Sequence, residues 1–366
     1  MEFLYEYGLF LLKAITIVIS IVMVIVLAVS AASKTKGQSK GHLVIENISD
    51  DMEEQLHEMK RALLNDDEVK AFDKAFKKEQ KIKSKAEKKQ SDKKQSSKEE
   101  SSTDNETNQN ADKDDEKSKL FVLNFNGDIH ASQVDSLREE ISAVISIADE
   151  KDKVLINLES PGGVVHGYGL AASQISRLKS ANIHTTVAVD KVAASGGYMM
   201  ACVADKIISA PFAIIGSIGV VAQLPNINKL LKKNDIDIEQ HTAGNFKRTL
   251  TMLGENTEEG RNKFKQELEE THVLFKEFVS EYRSDLDIEK VATGEHWYGK
   301  QALELNLVDE IKTSDDFILE SLKDNTLYKI EYKVKAKLAE KLGLAAAASL
   351  SSLFGKLSTW SLTHAK

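Results

Sequence analysis

Val192-Ala-Ala-Ser-Gly-Gly-Tyr-Met199 is the stretch whose reading decides the fold. Before it, Thr185-Thr-Val-Ala-Val189 is a short β-branched run closed by Asp190, which predicts a buried strand; after it, Tyr198 to Ala204 predicts a short helix. A strand, a tight turn and a helix in that order lift Ser195 into the open. Gly196 and Gly197 permit backbone conformations that a side chain would forbid, and they leave amide N–H groups at a helix start, where negative charge is favoured. The arrangement has the form of a nucleophile elbow, although the pattern G-x-S-x-G is not present. Taken alone, the turn also reads as a plain glycine-rich connection in an α/β sheet.

A second glycine turn lies upstream. Val154-Leu-Ile-Asn-Leu158 predicts a strand that runs into Glu159-Ser-Pro-Gly-Gly163, and a helix follows through Leu170, Ile175 and Leu178. The folded domain opens with a strand at Leu120-Phe-Val-Leu-Asn-Phe125. A helix capped at Ser132 follows, with Asp135 three residues on and Val134, Leu137, Ile141, Val144, Ile145 and Ala148 on one apolar face. Strands alternating with helices predict an α/β domain with a parallel sheet. In such sheets ligands sit beyond the carboxyl ends of strands, where both glycine turns fall, so the two converge on one pocket in this reading.

Composition bounds the rest. A chain of 366 residues has room for one or two domains, and a net charge of -8 argues against a general nucleic-acid binder. The single cysteine, Cys202, excludes an intramolecular disulfide and reads as core in an apolar helix. No P-loop and no metal-ligand spacing occurs, so neither a metal nor another cofactor is expected.

Toward the N-terminus, Ala14 to Ala32 is an uncharged apolar run long enough to span a bilayer, and residues 1–32 are expected to form a transmembrane anchor. A cleaved signal peptide is the competing reading. Glu2 and Glu6 in place of a basic leader, and the length of the run, favour the anchor. Lys34, Lys36 and Lys40 follow it and, by the positive-inside rule, would face the cytoplasm. Residues 33–73 read as a juxtamembrane module, with a strand at His42–Glu46 and helical spacing of Met52, Leu56, Met59, Leu63 and Leu64. Residues 74–118 lose nearly all apolar side chains and pass from a lysine-rich to an acidic half. Such a segment predicts a disordered charged linker whose basic half offers a lipid contact. Residues 119–325 are expected to form the main folded domain, and 326–366 an amphipathic tail suited to a membrane or a neighbouring subunit.

Four ordered motifs then make the domain recognisable: S-P-G-G at 160–163, A-A-S-G-G-Y at 193–198, G-S-I-G-V at 216–220 and G-N-F-K-R at 244–248. Together they resemble the signal peptide peptidase A family of membrane serine proteases, and the anchor and charged tether resemble its SohB branch. The resemblance implies a crotonase/ClpP-like β-β-α superhelix and peptide-bond hydrolysis by a serine–lysine dyad. It implies unfolded apolar peptides, such as remnant signal peptides, as substrates. A homo-oligomer and a periplasmic catalytic domain on the bacterial inner membrane are implied too. The closing element from Thr293 to Asp309 also resembles the family's.

A serine hydroxyl attacks poorly unless a base takes its proton. His166, His184, His241 and His272 lack motif context and read as surface or packing residues. Lysine serves as base once desolvation lowers its pKa. Lys247, 52 residues after Ser195 and following a predicted strand at Ile238–His241, is the candidate by its match to the family's G-x-[FY]-K pattern. The resemblance further assigns Ser217 to orienting the lysine amine. An oxyanion hole would combine the Gly196 N–H with one from Gly162 or Gly163, Gly162 being preferred. In relatives the lysine can come from a neighbouring subunit. Lys191 and Glu159 are taken as structural. The helix Thr257–Tyr282, with Phe264, Leu268, Thr271, Phe275, Phe278 and Tyr282 along it, reads as core or subunit contact. The alternatives are a catalytically silent membrane scaffold on the same fold and acyl-CoA chemistry, which the anchor and the lysine disfavour.

Overall fold

Apolar β-branched runs too short for helices, each followed by a helical period, set the architecture that a computed structural model of the chain displays. It describes residues 7–10, 13, 16–17, 41–65, 68–78, 81 and 117–334. Two compact units result, Val44–Glu331 and Met1–Leu43 with Tyr332–Lys366; the elements that carry the site belong to the former. Apart from residues 16 and 17, the apolar run Ala14–Ala32 lies outside the described residues, as do the linker over 82–116 and the tail from 335 onward. Among the described residues no helix is long and apolar enough to cross a membrane.

Strand β1 (His42–Asn47) leads into helix α1 (Ile48–Ala62), whose N-cap Asn47 accepts a hydrogen bond from the Asp50 amide. A second helix occupies residues 68–78, so helical structure runs past the boundary expected at 73. Phe72 and Phe76 stack on His57 of α1, with ring centroids 4.7 and 3.8 Å apart.

The main domain proceeds through β2 (Ser118–Asn126), α2 (Val134–Ile147), β3 (Lys153–Glu159), α3 (Val165–Ser180) and β4 (His184–Val189). Then come β5 (Val192–Ala194), α4 (Gly196–Ala201), β6 (Lys206–Ser209) and β7 (Ile214–Gly216). After an excursion holding α5 (Asn228–Lys233) the chain forms α6 (Glu258–Tyr282), α7 (Ile288–Val291), β8 (His296–Tyr298) and α8 (Gly299–Glu304). It closes with β9 (Glu310–Ile311), α9 (Ser314–Ser321) and β10 (Asn325–Lys333).

A seven-stranded sheet has the order β1-β10-β2-β3-β4-β6-β9, with every pairing from β10 to β9 parallel. A three-stranded sheet has the order β5-β7-β8. The chain thus visits the large sheet, the small sheet and a helix in turn: β4, β5, α4, then β6, β7. Leu123, Phe125, Val154, Ile156, Ile175, Leu178, Val187 and Ile207 pack into one buried core, as continuous apolar runs in a covered parallel sheet require.

Two local expectations are corrected. Ser132 does not cap α2: the carboxylate of Asp128 accepts the Ser132 and His130 amides at 2.8 and 3.1 Å, and Ala131 turns left-handed at φ 54°. The helix starts beyond Gln133, with no side-chain cap. These N–H groups, the Ser132 amide foremost, hold the Asp128 carboxyl below the usual carboxylate range. Nor is Ile238–His241 a strand; it is exposed irregular chain. Its alternation finds no partner: the segment is exposed and joins neither sheet.

Candidate active site

Ser195 sits where β5 hands over to α4, at φ 51° and ψ -118°, a conformation non-glycine residues rarely adopt. Neighbouring backbone over-determines it. The Ser195 amide donates to Gly216 O at 2.7 Å, and the Ser195 carbonyl accepts the Met199 amide at 3.0 Å. Behind the serine, Gly196 lies against the Tyr168 ring and Gly197 against the Ser160 carbonyl, so a Cβ at either would collide. The glycines are demanded by close packing as well as by the turn.

The Ser160–Gly163 turn is stitched to the same place. Ser160 N donates to Val192 O at 2.8 Å and Ala194 N to Ser160 O at 3.0 Å. Gly162, at φ 88°, brings its α-carbon so near Ser195 that a Cβ there would stand 2.8 Å from the Ser195 Cβ and from Gly196 N. A directed chain of hydrogen bonds fixes the turn: Gly162 N–H to Ser160 Oγ at 3.1 Å, Ser160 Oγ to Tyr168 Oη at 2.5 Å, and the Tyr168 hydroxyl to Asp128 O at 2.8 Å. Burial pushes the Tyr168 phenol up, which keeps it a donor. The Gly163 N–H, by contrast, has no acceptor among the described residues. Gly196 heads α4, where first-turn N–H groups have no intrahelical partner.

Two cavities meet at Ser195. One of about 230 Å³ is walled by Val165, Met199, Val220, Leu274, Phe275 and Phe278, with Gly163 and Gly196 beside the serine. The other, about 560 Å³, runs past Ile129, Gly162, Gly163, Ser217, Val220 and His272. Ser217 follows Gly216 in a second left-handed step (φ 97° and 52°) and its hydroxyl donates to Gly294 O at 3.4 Å. Trp297 presses on Gly216, so β8 supports β7. Lys247 is exposed, bonded through its amide to Gly244 O at 3.3 Å, and lines neither cavity. The structure therefore brings together Ser195, Gly162, Gly163, Gly196 and Ser217, and places Lys247 elsewhere on the same chain.

Residues that sequence reasoning passed over complete the wall. Thr271, Phe275 and Phe278 lay on a recognised apolar face, but the face gave no sign that it borders the serine. His272, read as a packing residue, lines the larger cavity, and its Nε2 is buried without a partner among the described residues. Tyr168 carries no motif of its own, and Ser160 stood only as the first residue of the S-P-G-G turn, with no sign of its hydroxyl's part in the chain. Behind α4, Arg283 clasps Asp309 at 2.7 and 3.0 Å, and the Tyr198 hydroxyl donates to Leu307 O at 3.0 Å. Lys191 pairs with Glu159 at 2.9 Å in an exposed bridge.

Comparison with known proteins shows the family of the chain. Residues 2–175 match the family described as peptidase family S49 N-terminal, and residues 177–327 match peptidase family S49. A probable protease SohB of Haemophilus influenzae is 51% identical over 359 residues, spanning 98% of this chain and 97% of that protein. A probable protease SohB of Buchnera aphidicola is 58% identical over 241 residues, spanning 66% of this chain and 72% of that protein. Among solved structures, a membrane-bound stomatin-specific protease in complex with a substrate peptide aligns with a TM-score of 0.40 at 13% identity. That alignment covers 62% of this chain and 96% of the other.

Proposed function

The chain belongs to peptidase family S49, in the SohB-like branch of the signal peptide peptidase A family, and from that premise we propose a membrane-anchored serine endopeptidase that works through Ser195 and Lys247. The alternation of large-sheet strand, small-sheet strand and helix supports the crotonase/ClpP-like β-β-α superhelix. The observation that carries the catalytic reading is the strained Ser195 at the junction of two cavities, flanked by two unengaged glycine N–H groups.

In this mechanism a neutral Lys247 amine takes the Ser195 proton as Oγ attacks the substrate carbonyl carbon. The developing oxyanion is held by the Gly196 and Gly163 N–H groups; Gly163 replaces Gly162 as second donor because the Gly162 N–H is already given to Ser160. Collapse breaks the C–N bond, and the Lys247 ammonium returns the proton to the leaving amine. Water, deprotonated by the same lysine, then hydrolyses the acyl-enzyme and regenerates Ser195. Ser217 orients the amine from the larger cavity.

That Lys247 lines neither cavity of its own chain supports a lysine supplied to each Ser195 by a neighbouring subunit of a homo-oligomer. The excursion that bears it shows apolar side chains to solvent, Val221 at 91% and Leu230 at 58% exposure, which subunit contact would cover. The apolar smaller cavity suits an aliphatic or aromatic side chain beside the scissile bond, in keeping with unfolded or membrane-derived peptides such as remnant signal peptides. The N-terminal apolar run would hold the enzyme in a bacterial inner membrane, with the catalytic domain on the periplasmic side.

The test is covalent. An activated fluorophosphonate added to the assembled oligomer should raise the intact mass by one adduct per chain, and Ser195→Ala should abolish the adduct. A wild-type oligomer unlabelled across several pH values would remove the serine-protease reading in favour of a silent scaffold.

A further inference from the structure

The 68–78 helix carries charge in a pattern the catalytic site does not use. One side of it is taken up by α1: Phe72 and Phe76 stack on His57, and Asp73 meets His57 Nε2 at 3.2 Å and Arg61 at 3.5 Å, while Glu68, at the start of the helix, accepts the Asn65 amide at 3.2 Å. What remains outward is Lys70, Lys74, Lys77 and Lys78, all exposed, at spacings that put them on one face of the helix. None of the four forms an ion pair among the described residues. A face meant only for water mixes its signs, as α1 does with Asp50 and Asp51 in its first turn and Lys60 and Arg61 in its last. Four like charges on one face repel one another, so a counter-charged partner is the simplest reason for them.

The chain beyond shows what kind of partner fits. Residues 70–94 hold eleven lysines and four acids, whereas residues 95–116 hold two lysines and eight acids. An extended anionic surface attracts the first stretch and repels the second within a Debye length of about 10 Å at 0.1 M salt. That ordering suits a chain that lies on a surface at residue 70 and leaves it before the domain that starts at β2. The lysine stems also let the ammonium groups reach headgroups while the helix rests flat.

We propose that the lysine face of the 68–78 helix docks on an anionic phospholipid surface, independently of the peptidase site. The test uses the full chain reconstituted in vesicles of phosphatidylcholine alone or with about 30 mol% phosphatidylglycerol. Amine-reactive footprinting by mass spectrometry reads Lys70, Lys74, Lys77 and Lys78, with the exposed Lys229 and Lys300 as internal references. Docking predicts that labelling of the four falls at least about threefold with phosphatidylglycerol and recovers in 0.5 M NaCl, while the references do not move. In parallel, hydrogen exchange over 68–78 should slow on the anionic vesicles for the wild type and not for a variant with all four lysines changed to Gln. Equal labelling in both vesicles overturns the proposal. So does the same protection from soluble glycerophosphoglycerol or from RNA in phosphatidylcholine vesicles, which would make the site a headgroup-sized anion site or a nucleic-acid site instead.

Discussion

The Ser195 amide is bonded to the Gly216 carbonyl at 2.7 Å, so the nucleophile's own N–H locks the elbow to β7 and is not free to serve a substrate. The same contact delivers Ser217, the next residue in the chain, to the cavity that holds Ser195. Two left-handed steps at Gly216 and Ser217 and one at Ser195 are held against each other by this bond at the end of the parallel β5–β7 pairing.

Gly162→Ala tests how tightly the two glycine turns are fitted. At φ 88° the new Cβ would lie 2.7 Å from Ala194 O and 2.8 Å from the Ser195 Cβ, with strain of about 1–3 kcal/mol. We expect a matching loss in thermal stability and, because Ser195 must move, a fall in kcat of about 100-fold or more with KM little changed. Peptide hydrolysis and calorimetry on the same preparation check both; an unaltered kcat would contradict the geometry.

Mixing distinguishes a lysine from a neighbour from one in the same chain. Ser195→Ala and Lys247→Ala should each be inactive alone. Co-assembled one to one, they should recover about one quarter of wild-type activity, because a working site then needs an intact serine on one subunit and an intact lysine on the next. No recovery in a verified mixed oligomer would place the lysine in the same chain.

Tyr168→Phe should loosen the turn without touching substrate. It removes the donor to Asp128 O and the acceptor of the Ser160 hydroxyl, leaving buried polar groups at a cost of about 1–3 kcal/mol. Denaturant titration of Tyr168→Phe, Ser160→Ala and the double variant should show strong non-additivity, since both single changes break one chain of bonds. Additive losses would mean the two hydroxyls act separately.

Leu274→Ala or Phe278→Ala should deepen the smaller cavity. The expected outcome is a shift of kcat/KM by about 10-fold toward substrates with bulkier apolar side chains beside the scissile bond. A peptide library read by mass spectrometry measures it, and an unchanged preference would detach this cavity from substrate choice.

Alkaline pH should destabilise the fold through two buried groups. Burial pushes both the Cys202 thiol and the Tyr198 phenol far up. The unfolded chain loses these protons near pH 8.5 and 10, whereas the folded chain keeps them, so stability falls as pH rises through those values. Each group contributes a slope of about 1.4 kcal/mol per pH unit above its unfolded pKa. Cys202→Ala should flatten the fall between about pH 8.5 and 10, as followed by thermal unfolding across pH. A wild type equally stable at pH 8 and 10 would refute the assignment.

Much of this was legible in the chain itself. Leu120–Phe125, Val154–Leu158 and Thr185–Val189 are mostly buried and so appear as dense apolar or β-branched runs, interrupted by Asn124 and Asn157, whose side chains bond each other across β2 and β3. The glycine turns stood out because close backbone approach excludes side chains. What depended on partners distant in sequence did not. The hydroxyl of Tyr168 finds Asp128 across 40 positions, and α6 shows an apolar face without saying what it faces. Ile238–His241 has a strand's alternation but joins neither sheet, and the Ser132 amide donates to Asp128 while the helix begins beyond Gln133.

The pairing of β10 with β2 governs when this enzyme becomes complete on the ribosome. Ser118 Oγ donates to Asn325 Oδ1 at 2.6 Å across 207 positions, and the ladder continues through Leu120 and Leu327. Translation at about 5–20 residues per second separates the two strands by on the order of ten to forty seconds. Throughout that interval β2 has β3 on one side and an unpaired edge on the other, open to any extended segment of a neighbouring nascent chain. A chain cut short after β9 would carry that open edge permanently, with its serine elbow already encoded and its sheet unsealed.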